Sequence, residues 1–233
     1  MDYQKEYIQK NPGLHLEQSG VKARQVLSFL MPMQVNSLLD VACGAGGITL
    51  EFKRILKPKE AVGIDISTEM INAARRSDNN KEVTWICEDI YKYNPKMKFD
   101  LVTGIDIIEH VKDDLGLLRR MGELGKVVCI KVPMEDSFLD NKIIRRLGIR
   151  DPWRESEKKY GHIHHYNEKQ LIKLFKEAGF RILKSDYIPL PKRSKMFYEI
   201  FRVFFLPIGW FSKRSMANFV GGFKIVLLEL VNK

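Results

Sequence analysis

Short apolar runs alternate along the chain with segments whose apolar residues recur at helical spacing, as in Ile48–Leu56 and Glu69–Arg76. This alternation is typical of βαβ units, and it predicts a parallel sheet with helices packed on it. We predict seven strands, at Ser37–Val41, Ala61–Ile64, Val83–Ile86, Leu101–Gly104, Val127–Val132, Arg181–Tyr187 and Phe223–Val231.

A late helix at 168–178 carries signals at both of its ends. Asn167 and Gln170 have the spacing of a capping box, and Gly179 follows the last helical residue. No linker rich in proline, glycine or serine divides the chain. We therefore predict a single domain over residues 1–233, with a helical N-terminal extension (1–35), a lid-like insertion (134–166) and an aromatic and basic insertion (188–222).

The first predicted strand runs into a glycine-containing loop, and a helix begins at about Ile48. Gly44 and Gly46 allow positive φ and leave no side chain between the backbone and a ligand. Strand, loop and helix together predict a nucleotide-binding crevice at the carboxyl end of a parallel sheet. The alternative is that the two glycines only serve the turn from strand to helix.

Three neighbouring residues narrow the choice of nucleotide. Thr49 stands where a dinucleotide-binding fingerprint requires a third glycine, which disfavours NAD. Asp40 before the loop suits a cationic group better than a pyrophosphate. Asp65 ends the second strand and can accept the two hydroxyls of a ribose, although it could instead cap the next helix. A ribose beside a cationic group describes S-adenosylmethionine.

The same segments resemble the class I S-adenosylmethionine-dependent methyltransferases, in the small-molecule branch that includes ubiquinone-type and lipid-type enzymes. The similarity is carried by Leu39–Gly46, Gly63–Ser67, Glu88–Ile90, Gly104–Val111 and Gly161–Tyr166. It implies an α/β, Rossmann-like seven-stranded sheet with the last strand antiparallel and helices on both faces. S-adenosylmethionine is then the methyl donor and S-adenosylhomocysteine the product. The implied cofactor-binding residues are Asp40, Ala42, Gly44, Ala45, Gly46, Asp65, Ile66, Met70, Glu88, Asp89, Ile90, Gly104 and Ile105.

Candidates for catalysis and acceptor binding follow the fourth strand or lie late in the first insertion. A base is required only for a hydroxyl or a protonated amine, and histidine has a suitable pKa for that role. The catalytic candidates are His110, Asp106 and His165. The substrate-binding candidates are Tyr160, His162, His164 and Trp153. His162 and His164 could also suit a metal, but no paired acidic motif accompanies them, and we expect no metal.

The net charge of +10 resides mostly after residue 133, where 20 basic residues face 11 acidic ones. Phe197, Phe201, Phe204 and Phe205 form an apolar stripe in 188–222, with basic residues at both ends. This segment either packs on the domain or contacts an anionic membrane. We expect a lipid-like, aromatic or natural-product acceptor. The alternatives are an RNA-directed methyltransferase and a non-catalytic, membrane-associated module that binds S-adenosylmethionine.

The expected location is the cytoplasm, with the peripheral membrane as a second possibility. The polar N-terminus has no apolar core of a signal peptide, and no stretch is long and apolar enough to span a bilayer. Cys43, Cys87 and Cys129 form no CxxC pair, which favours a reducing compartment.

Overall fold

A computed structural model describes residues 16–189 and 212–231 of the chain. Its sheet has the strand order β3-β2-β1-β4-β5-β7-β6. The strands from β3 to β5 pair in parallel, whereas β7 runs antiparallel to both β5 and β6. This architecture confirms the predicted fold. The strands are β1 (Ser37–Val41), β2 (Glu60–Asp65), β3 (Thr84–Cys87), β4 (Phe99–Ile105), β5 (Gly125–Met134), β6 (Phe180–Pro189) and β7 (Gly222–Leu230).

Helices connect most of these strands. The asparagine before α6 forms the predicted capping box, since Asn167 and Gln170 each accept a hydrogen bond from the other's backbone N–H. The α-helices are α1 (Leu16–Leu30), α2 (Gly47–Leu56), α3 (Thr68–Ser77), α4 (Asp114–Leu124), α5 (Pro152–Tyr160), α6 (Glu168–Glu177) and α7 (Lys213–Val220). A 3₁₀ turn at Ile108–His110 and a π-helix at Phe138–Arg145 complete the described elements.

Alternate residues of the sheet bury their side chains on opposite faces. Leu38 packs in a cluster with Val26 of α1 and Phe52 of α2. Its neighbour Leu39 lies in the other large cluster, with Leu118 of α4 and Phe175 of α6 among its members. Because neighbouring side chains of β1 are buried on opposite faces of the sheet, helices pack on both faces, as predicted.

The segments predicted as extension and insertions are described in part. Helix α1 lies within 1–35, and the π-helix and α5 lie within 134–166. The phenylalanine stripe of 188–222 lies outside the described residues. Among those described, no helix is both long and apolar enough to cross a bilayer. All three cysteines are free.

Candidate functional site

The carboxyl ends of four parallel strands meet at one edge of the sheet. Val41 of β1 pairs with Ile64 of β2 and Gly104 of β4, and Asp65 pairs with Cys87 of β3. The residues that follow these strands therefore surround one crevice, which is where such sheets bind ligands. Ala42 and Asp106 both have φ of +54° there. Strained non-glycine backbone of this kind concentrates at functional sites.

The two predicted loop glycines have different structural roles. Gly44 has φ of +56°, and a Cβ added to it would meet no atom within 4 Å. Gly46 has φ of +81°, but a Cβ there would lie 2.5 Å from the Trp85 ring and 2.9 Å from Cβ of Ala74. Gly44 thus leaves open space above the loop, whereas Gly46 allows the loop to pack closely on β3 and α3.

Asp65 lies beside this open space. Its Oδ2 accepts a hydrogen bond from the backbone N–H of Gly44 at 2.9 Å, and its Oδ1 accepts from Ser67 N–H at 2.9 Å. Burial raises the pKa of Asp65, and the backbone hydrogen bonds oppose that shift. The side chain that caps α3 is Ser67, whose hydroxyl accepts from the N–H of Met70. The alternative role of Asp65 as that cap is therefore wrong.

The surroundings of Asp65 fit the nucleoside part of S-adenosylmethionine. Each carboxylate oxygen has a second lone-pair site beyond the one taken by the backbone, so both can accept from hydroxyl groups. Ile66 is 64% exposed immediately after Asp65, and this unusually exposed apolar side chain suits the flat face of a base. Glu88 is exposed at the end of the neighbouring strand β3.

Asp40 lies beneath the loop instead of facing the crevice. It is 3% exposed. Its two carboxylate oxygens accept hydrogen bonds from the hydroxyls of Thr49 and Thr103 at 2.5 and 2.6 Å. Burial raises the pKa of Asp40 to about 6, although both hydroxyls act in the opposite direction. The geometry does not support the expected direct contact with a cationic ligand, because Asp40 instead fixes α2 and β4 to β1.

The other predicted cofactor residues divide between the crevice and the core. Ala45 and Met70 are buried together in one small cluster. The space beside Gly104 is occupied by Met121, whose Cε lies 2.8 Å from an added Cβ. Ile105 packs against the cluster beneath α1, and Ile90 packs against the other large cluster. Asp89 is half-buried and accepts a hydrogen bond from the backbone of Tyr91.

Asp106, predicted as a catalytic candidate, is bound by two lysines. Nζ of Lys131 lies 2.7 Å from Oδ1, and Nζ of Lys22 lies 2.8 Å from Oδ2. Burial opposes ionisation of Asp106, but the two ammonium groups outweigh it and hold its pKa well below the usual range. A carboxylate held in this way does not take up a proton at neutral pH. The geometry therefore does not support Asp106 as a catalytic residue, because the two lysines engage both carboxylate oxygens and Asp106 joins α1 and β5 to the end of β4.

His110 is a neutral imidazole with one ring nitrogen occupied. Its Nδ1 lies 3.2 Å from the carbonyl oxygen of Gly161, and its ring meets that of His162 edge-on at 4.8 Å. Because a carbonyl only accepts, Nδ1 carries the proton and Nε2 is left as the acceptor. Burial, assisted by the neighbouring His162, lowers the pKa of His110 to about 4. The ring is thus neutral at pH 7 with Nε2 unprotonated, and its lowered pKa makes it a weaker base than a free imidazole.

Glu109 lies next to this imidazole, fully buried. Neither of its carboxylate oxygens has a hydrogen-bond partner among the described residues. Burial, together with the charge of Asp106, raises the pKa of Glu109 well above its usual value. Glu109, His110 and His162 each place a possible ligand atom within 4.8 Å of the other two. These three side chains could hold a metal ion, which the sequence patterns did not indicate.

Glu135, the first residue after β5, connects the late histidines. Its Oε1 lies 2.9 Å from Nδ1 of His162, and its Oε2 lies 2.8 Å from Nδ1 of His165. The hydroxyl of Ser156 donates to Oε1 at 2.5 Å. Burial acts to raise the pKa of Glu135, but the hydrogen bonds from the two histidines prevail and lower it to about 2.

The predicted substrate-binding residues lie around these histidines, with one exception. The Trp153 ring stacks on His165 at 5.1 Å, and Tyr160 stacks on His162 at 5.4 Å. The guanidinium of Arg145 lies over the Trp153 ring, 4.1 Å from the ring centre. His164 is the exception, because its Nε2 lies 2.9 Å from the carbonyl oxygen of Val111. This contact fixes the loop and leaves His164 without support as a substrate ligand.

Backbone hydrogen bonds hold the histidine segment against the end of β4. The N–H groups of Ile163 and His164 both donate to the carbonyl of Glu109, at 2.9 and 3.2 Å. The hydroxyl of Tyr166 donates to Asp114 at 2.7 Å. The last part of the insertion thus returns to the turn after β4, and this return brings His162 beside His110.

The sequence reasoning missed several residues that organise the site. Glu135 and Ser156 had no recognisable motif, since they meet the histidines only in three dimensions. Lys131 did carry a signal, because a lysine inside the apolar run 127–132 must find a buried partner. It is 1% exposed and lies 3.7 Å from the Phe223 ring centre as well as beside Asp106.

Comparisons with known proteins agree with this fold. A ubiquinone biosynthesis O-methyltransferase of Rhodopseudomonas palustris (strain BisB5) is 32% identical over 91 residues, which cover 38% of this chain and 35% of the relative. The chain thus matches about a third of the length of this curated relative.

Solved structures are similar over almost the whole chain. A methyltransferase in complex with the Haloferax volcanii Trm112 activator superposes with a TM-score of 0.68 at 15% identity, covering 95% of this chain and 94% of its own. Magnesium protoporphyrin IX methyltransferase of Synechocystis PCC 6803 with bound S-adenosylhomocysteine has a TM-score of 0.56 at 13% identity, covering 99% and 88%. The methyltransferase domain family itself matches residues 15–185, most of the chain. The protein is therefore a member of the methyltransferase domain family.

Proposed function

We propose that this protein transfers a methyl group from S-adenosylmethionine to a hydroxyl group of a small-molecule acceptor. The observation that carries the proposal is the His110 imidazole, held through Nδ1 by the Gly161 carbonyl in the 3₁₀ turn that follows β4. This strand lies next to β1, which leads into the open Gly44 loop. A cofactor cradle and a proton acceptor thus share one edge of the sheet. Membership in the methyltransferase domain family supports the reaction type.

The crevice residues divide the task of holding the cofactor. Gly44 leaves room for it above the loop, where Asp65 would accept from the ribose hydroxyls and Ile66 would contact the adenine face. When bound, S-adenosylmethionine supplies the electrophilic methyl group on its sulfonium. The remaining task of the protein is to align the acceptor with that methyl group and to take up the acceptor's proton.

A hydroxyl acceptor is favoured by the chemistry of the imidazoles. A neutral hydroxyl is a weak nucleophile, and transfer to it requires loss of its proton in or before the displacement. Because Nδ1 donates to the Gly161 carbonyl, Nε2 of His110 is the ring nitrogen that can accept that proton, and the lowered pKa of the ring makes it a weaker base than a free imidazole. The R. palustris relative carries the name of an O-methyltransferase, which supports oxygen as the acceptor atom.

A metal-assisted form of the same reaction is the second candidate. The buried carboxylate of Glu109 lacks a partner, and a cation held with His110 and His162 would supply one. A metal ion could also lower the pKa of a bound hydroxyl. Treatment with EDTA followed by dialysis separates the two forms. Full activity after chelation supports the imidazole base, whereas a loss that Mg²⁺ or Zn²⁺ restores supports the metal.

The acceptor is proposed to be lipid-like or aromatic. Trp153 and Tyr160 offer flat surfaces beside the histidines. Leu147 and Ile149 are 69% and 65% exposed at the tip of the insertion, within a basic stretch that includes Arg146. Exposed apolar side chains among basic ones suit contact with an anionic membrane surface, where such an acceptor would reside.

Two other functions make different predictions. An RNA-directed enzyme would use the net charge of +10 and bind RNA tightly at low salt. The absence of a gel shift at low salt would exclude it. A non-catalytic module would bind S-adenosylhomocysteine and release none from S-adenosylmethionine with any acceptor.

The decisive experiment measures S-adenosylhomocysteine release with matched acceptors. We expect turnover with 3,4-dihydroxybenzoate and none with 3,4-dimethoxybenzoate, which lacks the free hydroxyls; phosphoethanolamine tests nitrogen as the acceptor atom. Calorimetry with S-adenosylhomocysteine should show weaker binding to Asp65→Ala, with the surface variant Glu177→Ala as control. Unchanged affinity of Asp65→Ala would overturn the cofactor assignment, and turnover only with amines would overturn the hydroxyl assignment.

A further inference from the structure

A single carboxylate contacts two imidazoles in the histidine cluster. Glu135 presents Oε1 to Nδ1 of His162 at 2.9 Å and Oε2 to Nδ1 of His165 at 2.8 Å. The two histidines are three positions apart, and Glu135 follows β5 at the opposite end of the insertion. The orientation of both rings therefore depends on one residue that is remote from them in sequence.

The protons around Oε1 can be assigned by counting donors. An ionised carboxylate only accepts, and the one hydroxyl proton of Ser156 is directed at Oε1. The oxygen of Ser156 also lies 2.9 Å from Nδ1 of His162. Both oxygens near that nitrogen are then acceptors, so Nδ1 of His162 carries a proton, and in the neutral ring Nε2 is the unprotonated nitrogen.

The other described histidines follow from the same rule. Nδ1 of His165 faces a carboxylate oxygen, and Nδ1 of His110 faces the carbonyl of Gly161, so both carry a proton on Nδ1. His164 has the opposite arrangement, since its Nε2 donates to the carbonyl of Val111. The site thus contains three Nδ1–H imidazoles, and a fourth histidine of the other tautomer serves as an internal reference.

We propose that Glu135 is a positioning residue: by accepting from both Nδ1–H groups, it holds His162 and His165 in the tautomer whose Nε2 is a hydrogen-bond acceptor. The proposal deepens the proposed function, on which it rests. With His110, the site then offers three unprotonated Nε2 atoms. Such a site favours an acceptor molecule with several hydroxyl donors over one that offers only acceptors, such as a quinone or an ester.

The first test is spectroscopic and requires no substrate. Long-range ¹H–¹⁵N spectra of the ¹⁵N-labelled full chain at pH 7.5 distinguish a protonated ring nitrogen from an unprotonated one, and single His→Gln variants assign the signals. We expect Nδ1–H for His110, His162 and His165, and Nε2–H for His164. An Nε2–H form of either His162 or His165 in the wild-type protein would overturn the proposal.

The variant Glu135→Gln tests the cause of this arrangement. Its amide has one acceptor oxygen and one NH₂ donor, so it can accept from only one of the two Nδ1–H groups, and the ring that faces the NH₂ group is no longer held in that tautomer. His110 and His164 should not change. Glu135→Asp, which keeps a carboxylate, should restore the wild-type pattern at least in part, and Glu177→Gln on the surface is the matched control. Two unchanged histidines in a folded Glu135→Gln would refute the role of Glu135.

Kinetics with 3,4-dihydroxybenzoate then test the consequence for catalysis. For Glu135→Gln we expect kcat to fall by about 10–100-fold, the usual effect of losing the partner that orients a functional histidine, with KM for S-adenosylmethionine unchanged. Thermal unfolding identifies a variant that fails to fold. If the wild-type protein does not use this acceptor, the proposed function fails, but the tautomer spectra still decide whether Glu135 orients the rings.

Discussion

Replacement of the loop glycines by alanine separates packing from ligand binding. Gly44 and Gly46 both have positive φ, but only Gly46 lacks space for a Cβ, which would lie 2.5 Å from Trp85. Gly148 provides a matched control, because it has φ of +66° and no atom within 4 Å of an added Cβ, yet it lies in the insertion. The three alanine variants therefore share the backbone cost and differ in what surrounds the new methyl group.

The expected stabilities follow from two contributions. An alanine held in the left-handed region costs about 1–2 kcal/mol, which applies to all three variants. Overpacking against Trp85 and Ala74 adds about 1–3 kcal/mol for Gly46→Ala alone. For a chain of this size, the added amount corresponds to a further decrease of about 2–12 °C in the unfolding midpoint.

The expected affinities follow a different order. The methyl group of Gly44→Ala would occupy space that the cofactor requires, so we expect its dissociation constant for S-adenosylhomocysteine to rise at least about tenfold, the equivalent of about 1.4 kcal/mol. Gly148→Ala should bind as the wild-type protein does. Urea unfolding and calorimetry measure the two quantities. Wild-type affinity of Gly44→Ala would refute the cradle, and equal stability of Gly44→Ala and Gly46→Ala would refute the packing argument.

Three further outcomes are expected. Because the folded protein lowers the pKa of His110 to about 4, the unfolded chain binds more protons below pH 6.5. Urea titrations should therefore show the free energy of unfolding decreasing between pH 6.5 and 4, by at most about 3 kcal/mol. This decrease should be smaller in His110→Asn. Burial raises the pKa of Glu109 well above its usual value, and neither of its carboxylate oxygens has a partner among the described residues, so Glu109→Gln should be at least as stable as wild type at pH 7; a clear loss there would show that the carboxylate has a charged partner. The double variant Leu147→Asp with Ile149→Asp should weaken sedimentation with phosphatidylglycerol vesicles, whereas equal sedimentation would remove this tip from the membrane contact.

The sheet and the cofactor loop were predictable because their signals are local. The apolar runs, the glycines after β1 and the carboxylate at the end of β2 are each read within a few residues. Thr49 was read only as a missing glycine, although its hydroxyl binds Asp40 at 2.5 Å. That pairing joins α2 to β1 and requires both side chains to be buried beneath the loop. A local sequence pattern does not show which side chains are buried in this way.

The histidine cluster was predictable only in its composition. His110, His162 and His165 were identified by residue type. The contacts that join His110 to His162, and both His162 and His165 to Glu135, connect segments 27 to 52 residues apart. The position of Asp106 after a strand end predicts a catalytic residue, but the lysines that neutralise it come from α1 and β5. Long-range charge pairing of this kind leaves no spacing rule in a single sequence.

The way the chain returns to Glu109 has a consequence for how this protein can diversify. The carbonyl of Glu109 accepts hydrogen bonds from the backbone N–H groups of Ile163 and His164, which every residue except proline supplies. The imidazoles are anchored where the insertion leaves and rejoins the sheet. Its outer part, which includes the exposed Leu147 and Ile149, can therefore exchange residues without moving the base of the site. Under the proposed function, specificity for new acceptors can change in this outer part while the groups at the strand ends stay the same.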